Sequence, residues 1–124
     1  MKVNESFLTW LTHRNFMQFE TKEVFSDSES GLEVVKIKVN GKTLTGIKVD
    51  LANAPLLILK GEKMVVGCGY LNVETLDKMG NAACIVTDVR EFEDILNAEI
   101  KAITSKASEL GAKPGMTGKD VLIL

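Results

Sequence analysis

A single α+β domain, with a mixed or antiparallel sheet and helices gathered mainly on one face, is predicted by three features of the chain. Strand patterns dominate residues 33 to 66, and helical patterns with recognisable caps enter only from Asn72 onward. Between two alternating runs stands Asn40-Gly41, a strong two-residue hairpin signal because both residues accept positive φ. The length, 124 residues with 45% apolar and 26% charged, matches one globular core, and no internal repeat is present.

Residues 1–31 differ from the rest and read as an N-terminal arm preceding a domain at 32–124. Phe7, Leu8, Trp10 and Leu11 follow Ser6, a residue suited to cap a short amphipathic helix. Ser26-Asp27-Ser28-Glu29-Ser30-Gly31 is acidic and free of apolar anchors, the composition of a linker. Five of the seven aromatic residues precede that linker, so the arm is expected either to pack on its own domain or to contact another subunit.

In Glu33 to Val39, Val35, Ile37 and Val39 alternate with Lys36 and Lys38, the period of a half-buried strand. A two-residue turn at Asn40-Gly41 sets Val39 opposite Lys42, Ile37 opposite Leu44 and Val35 opposite Gly46. Ile47, Val49 and Leu51 then have the wrong parity, which predicts a bulge near Gly46; the alternative is a strand buried on both faces. Leu56-Leu57-Ile58-Leu59 and Met64-Val65-Val66 are unbroken apolar runs, expected to be central strands covered on both sides. Asn72 can cap a helix carrying Val73, Leu76 and Met79 that ends at Gly80. Ala82 to Thr87 reads as a strand, Phe92, Ile95 and Leu96 as a short helix, and Ala98 to Ile103 as another strand. Thr104 and Thr117 are caps for two further helices, the second with Asp120 in capping-box position.

Composition removes several classes of function. Seventeen acids against fifteen bases leave a formal charge of −2, too weak a field to gather DNA or RNA, so no nucleic-acid partner is expected. The start, Met1-Lys2-Val3-Asn4-Glu5, is not a signal peptide, and the apolar runs are far shorter than a membrane span, so a cytoplasmic protein without a membrane partner is expected. Cys68 and Cys84 are read as free thiols rather than a bridge or a zinc site, since neither has a second ligand nearby in sequence. No cofactor is implied. The look-alikes of a dinucleotide fingerprint at Gly67 and of a phosphate-binding loop at Gly118-Lys119 and Gly41-Lys42-Thr43 each lack a required residue.

The candidate site is the turn Gly67-Cys68-Gly69-Tyr70-Leu71-Asn72, where an apolar run stops, a thiol stands between two glycines and a helix begins. Gly67 and Gly69 free backbone N–H groups, and the helix from Asn72 turns its positive end toward this turn, an arrangement suited to a small anionic ligand, with Tyr70 and Asn72 as further contacts. Cys68 is either a buried packing residue at a tight turn or a thiol activated by the helix dipole and by Lys60 or Lys63. A nucleophilic cysteine also needs a base, and the single histidine, His13, lies in the arm. Asp88, Glu91, Glu93 and Asp94 cluster at the start of a helix, where they complement its dipole; acid–base work by a pair of them is the less favoured reading.

Gly46-Ile47, Ala54-Pro55-Leu56-Leu57, Cys68-Gly69-Tyr70-Leu71-Asn72, Ala82-Ala83, Asp94-Ile95-Leu96-Asn97-Ala98, Leu110-Gly111 and Gly115-Met116-Thr117-Gly118 together resemble the YunC-like family of small bacterial and archaeal proteins. The resemblance runs from about Gly41 to the C-terminus, and the family is a domain of unknown function. It implies the α+β fold and draws attention to Cys68 without implying a reaction. The expected function is therefore a small-ligand-binding or regulatory module with its site at the Gly67 to Asn72 turn. The alternative is a small enzyme using Cys68 as nucleophile or redox thiol. Homo-oligomerisation is also expected, as apolar strands and a hydrophobic arm are readily covered by a symmetric partner.

Overall fold

A computed structural model of the chain describes residues 19–124. The helix expected after Ser6 and the residue His13 lie outside the described residues. Among the described residues seven strands form one sheet in chain order: β1 (Phe19–Asp27), β2 (Leu32–Val39), β3 (Lys42–Val49), β4 (Leu56–Lys60), β5 (Val65–Gly67), β6 (Ala83–Ile85) and β7 (Ala102–Ile103). Every neighbouring pair is antiparallel except β5 and β6, which run parallel and are joined through helix α1 (Val73–Lys78). Helices α2 (Phe92–Asn97), α3 (Ser105–Glu109) and α4 (Gly118–Leu122) complete the α+β domain. None of these helices is long and apolar enough to cross a membrane.

The β2–β3 hairpin follows directly from its turn. Asn40 and Gly41 have φ of 51° and 79°, and Ile37 pairs with Leu44 and Val35 with Gly46, the register that a two-residue turn dictates. The expected bulge near Gly46 is absent, because the register continues unbroken to Leu32 and Val49. Gly46 has a different purpose. A Cβ there would stand 2.8 Å from Cε1 of Phe92 and 2.8 Å from Cγ2 of Val35, so the missing side chain seats the Phe92 ring on the sheet. Ile47 and Val49 are left half-buried on the other face, so the second alternative, apolar side chains on both faces of β3, is closer to the structure.

The bulge lies in β1 instead, between Glu23 and Phe25. This strand occupies part of the stretch assigned above to the arm. Ser26 to Gly31, expected as a linker, is the end of β1 and the connection of a β1–β2 hairpin. The Gly31 N–H donates to the Asp27 carbonyl at 2.9 Å, Asp27 Oδ1 accepts the Glu29 N–H at 3.1 Å, and Gly31 takes the left-handed φ of 73°. Polar composition there marks a turn rather than a separation of parts.

One face of the sheet carries the core. Val35, Ile37, Val39, Leu44, Leu57, Leu59, Val66 and Cys84 point into it and meet Phe92, Ile95 and Leu96 of α2 and Val121 and Leu122 of α4. On the opposite face Phe25, Val34, Ile47 and Ile58 stand side by side across β1 to β4, with Phe25 48% exposed. β4 is thus fully covered on one side only, unlike the two-sided burial its unbroken apolar run suggests. The three capped starts expected at Asn72, Thr104 and Thr117 are present, each side-chain oxygen accepting the backbone N–H three residues on.

Candidate functional site

The site is set by the parallel pair. Strands β5 and β6 end together at Gly67 and Ile85, and the Val86 N–H donates to the Gly67 carbonyl at 2.9 Å as the last link between them. Beyond it the two chains separate, one through Cys68-Gly69-Tyr70 and the other through Thr87-Asp88-Val89-Arg90. Loops beyond the carboxyl ends of adjacent parallel strands are where open α/β units form crevices. Here they border an open pocket of about 690 Å³.

Cys68, Gly69 and Tyr70 form one side of it. Cys68 is 4% exposed and is bound twice to β4: its N–H donates to the Leu57 carbonyl at 3.1 Å, and its Sγ accepts the Leu57 N–H at 3.4 Å. The Tyr70 hydroxyl donates to the Ala54 carbonyl at 3.3 Å, which holds the ring at the rim while leaving it 51% exposed. Ala54 and Pro55, which lead into β4, extend this wall.

Thr87, Asp88, Val89 and Arg90 form the facing wall, and Asp94, Asn97 and Ala98 of α2 and its end close it. Asp94 braces the loop against α2: its Oδ2 accepts the N–H groups of Arg90 and Glu91, both at 3.0 Å. Asp88 holds a left-handed φ of 60°, a conformation that aspartate tolerates better than most side chains. Among the described residues the side chains of Thr87, Asp88, Arg90 and Asn97 have no hydrogen-bond or ion-pair partner. All four are exposed, and polar side chains around a partly apolar concavity are the ordinary furnishing of a ligand site.

Of the residues expected at the site, Cys68, Gly69 and Tyr70 reach the pocket and Gly67 and Asn72 do not. Gly67 faces Leu71, whose Cδ1 fills the space a side chain would need, so this glycine serves packing. Asn72 Oδ1 accepts the Thr75 N–H at 2.9 Å and is spent as the cap. Helix α1 has only six residues, so the dipole expected to draw an anion to the turn is slight. Cys84 lies away in β6, fully buried, and burial pushes its thiol up to about 11.

Glu91, one of the clustered acids, pairs instead with Lys48 at 3.3 Å. Among the described residues no group of three His, Cys, Asp or Glu side chains is placed to hold a metal ion. Thr87, Arg90 and Asn97 were not identifiable in the sequence as site residues. The signal that would find them is the pairing of β5 with β6, which brings residues about twenty apart in the chain to one rim.

The C-terminal part of the chain, residues 67–124, matches the model of a family described as a domain of unknown function, DUF1805. A solved protein of unknown function from Thermoplasma acidophilum shares 37% identity and a TM-score of 0.71, over 74% of this chain and 90% of that one. The chain belongs to the DUF1805 family. An uncharacterised Bacillus subtilis protein, YunC, is 27% identical over 96 residues, which is 74% of this chain and 95% of YunC. The DUF1805 match holds both loops of the pocket, from Cys68 to Ala98, while Ala54 and Pro55 lie before it.

Proposed function

We propose that this DUF1805 protein binds a small ligand bearing an anionic group in the pocket beyond β5 and β6, with Cys68, Gly69 and Tyr70 on one wall and Arg90 on the other. The observation that carries the reading is Arg90. Arg90 is an exposed residue that lines a pocket of about 690 Å³, and its guanidinium has no acidic partner among the described residues. A guanidinium offers a planar fork of donors to a carboxylate or phosphate, and the adjoining Pro55, Val89 and Ala98 supply apolar wall. Thermal unfolding with millimolar acetate, propionate, phosphate or sulfate tests it. A saturable rise in Tm is expected for the intact protein and none for Arg90→Ala. An equal rise in both proteins, or no rise with any of the four anions, would end this reading.

A second reading keeps Cys68 as a reactive thiol in the same pocket. What favours it is the place of Cys68 on the pocket wall, whereas Cys84 does not line the pocket. Alkylation of the Cys84→Ala protein as a function of pH separates the two roles. A rate that titrates well below ~8.5 supports a nucleophile, and a thiol protected until unfolding makes Cys68 architectural.

A further inference from the structure

We infer that the ligand of this pocket is a zwitterion of the amino-acid type with a small aliphatic side chain, its carboxylate held by Arg90 and its ammonium by Asp88. The inference rests on the anion-binding reading above and adds the second charge. Asp88 and Arg90 are two residues apart on the loop after β6, both line the pocket, and neither has a side-chain partner among the described residues. Asp94 also lines the pocket, with Oδ2 accepting the Arg90 and Glu91 N–H groups, and among the described residues it makes no ion pair with the Arg90 guanidinium.

A plain anion satisfies only half of this arrangement and is expected to bind weakly, at millimolar concentration. It would meet Arg90 but approach two carboxylates, Asp88 and Asp94, and would strip water from Asp88 with nothing in exchange. A plain amine has the converse difficulty with Arg90. A ligand carrying both signs satisfies both groups, and it meets the requirement that discrimination come from repulsion as well as attraction. Ala54, Pro55, Val89 and Ala98 are small or aliphatic, which suits a short apolar side chain.

The test is a titration of the full chain followed by amide chemical shifts of residues 87 to 98. Alanine, valine and leucine are each compared with the matching acid lacking the ammonium and the matching amine lacking the carboxylate. At least one amino acid is expected to bind about tenfold or more tightly than both of its counterparts, the scale of one charge-assisted contact. Asp88→Asn, which keeps tolerance of positive φ, is expected to bring the amino acid down to the affinity of its deaminated acid while leaving that acid unweakened. Binding of the acids and amino acids with equal strength, unchanged by Asp88→Asn but lost in Arg90→Gln, would overturn the zwitterion inference and leave the anion reading standing. No perturbation of the pocket by any of the nine compounds would overturn the inference, and absence of a Tm rise with all four anions as well would remove the anion reading with it.

Discussion

Cys68 and Leu57 grip each other twice, the N–H of Cys68 on the Leu57 carbonyl at 3.1 Å and the N–H of Leu57 on Cys68 Sγ at 3.4 Å. The second bond makes the sulfur a structural acceptor at the point where β5 ends and the pocket begins. Cys68→Ala leaves the Leu57 N–H buried without a partner and is expected to cost about 1–3 kcal/mol. Urea unfolding of the two proteins measures the difference, and an unchanged midpoint would show that the sulfur contact carries no weight.

The two thiols should behave differently in the native protein. Cys84 is fully buried and its thiol is pushed up to about 11, so it holds little thiolate at neutral or mildly basic pH. With iodoacetamide at pH 8, Cys84 is expected to stay unmodified until denaturant is added. Mass spectrometry of the digested protein reports each site, and early labelling of Cys84 would refute its burial.

Gly46 is predicted to be intolerant of even a methyl group, because Phe92 and Val35 both stand 2.8 Å from where that group would go. Gly46→Ala is expected to lose about 1–3 kcal/mol through displacement of the Phe92 ring. The double variant Gly46→Ala with Phe92→Leu provides a check. If the ring is the obstacle, the two changes together cost less than their sum.

Thr104 is 1% exposed and its hydroxyl joins three segments. It donates to the Asn81 carbonyl at 2.7 Å and accepts the N–H groups of Ala83 at 3.0 Å and Ala107 at 3.3 Å. Thr104→Val keeps the shape and strands these groups, so a loss of about 2–4 kcal/mol is expected, while Thr104→Ser should recover most of it. Comparable stability of the valine and serine proteins would disprove the role of the hydroxyl.

Glu33 introduces a pH dependence. Burial holds its carboxyl above the ordinary range, with Lys48 pulling it back and Glu23, Glu91 and Asp50 adding to the rise. The folded protein therefore binds this proton more readily than the unfolded chain, and the stability that goes with it is lost as pH rises from the ordinary carboxylate range through the raised pKa. Glu33→Gln is expected to raise Tm slightly at pH 7 and to leave it unchanged near pH 3. Lys48→Met should enlarge the gain. A lower Tm for Glu33→Gln at pH 7 would reverse the sign and reject the assignment.

Local features were legible in the amino-acid sequence because their partners lie within a few residues. Asn40-Gly41 determined a hairpin and its register, since both residues of the turn need positive φ and the turn length sets which side chains face each other. Asn72, Thr104 and Thr117 determined helix starts through bonds that reach only three residues. The alternation in β2 determined its buried face. β1 escaped notice because its bulge shifts parity between Glu23 and Phe25, which erases the period that marks a strand.

What the tertiary structure decided is who meets whom across the chain. Gly46 is a glycine because Phe92, forty-six residues on, rests against it, and nothing beside Gly46 in the sequence carries that information. The same holds for the pocket. Cys68, Gly69 and Tyr70 acquire Asp88 and Arg90 as neighbours only because β5 pairs in parallel with β6 across an intervening helix. Local propensity has no term for such pairing; it is settled by burial of the whole sheet, and the site exists only where that burial places two loops side by side.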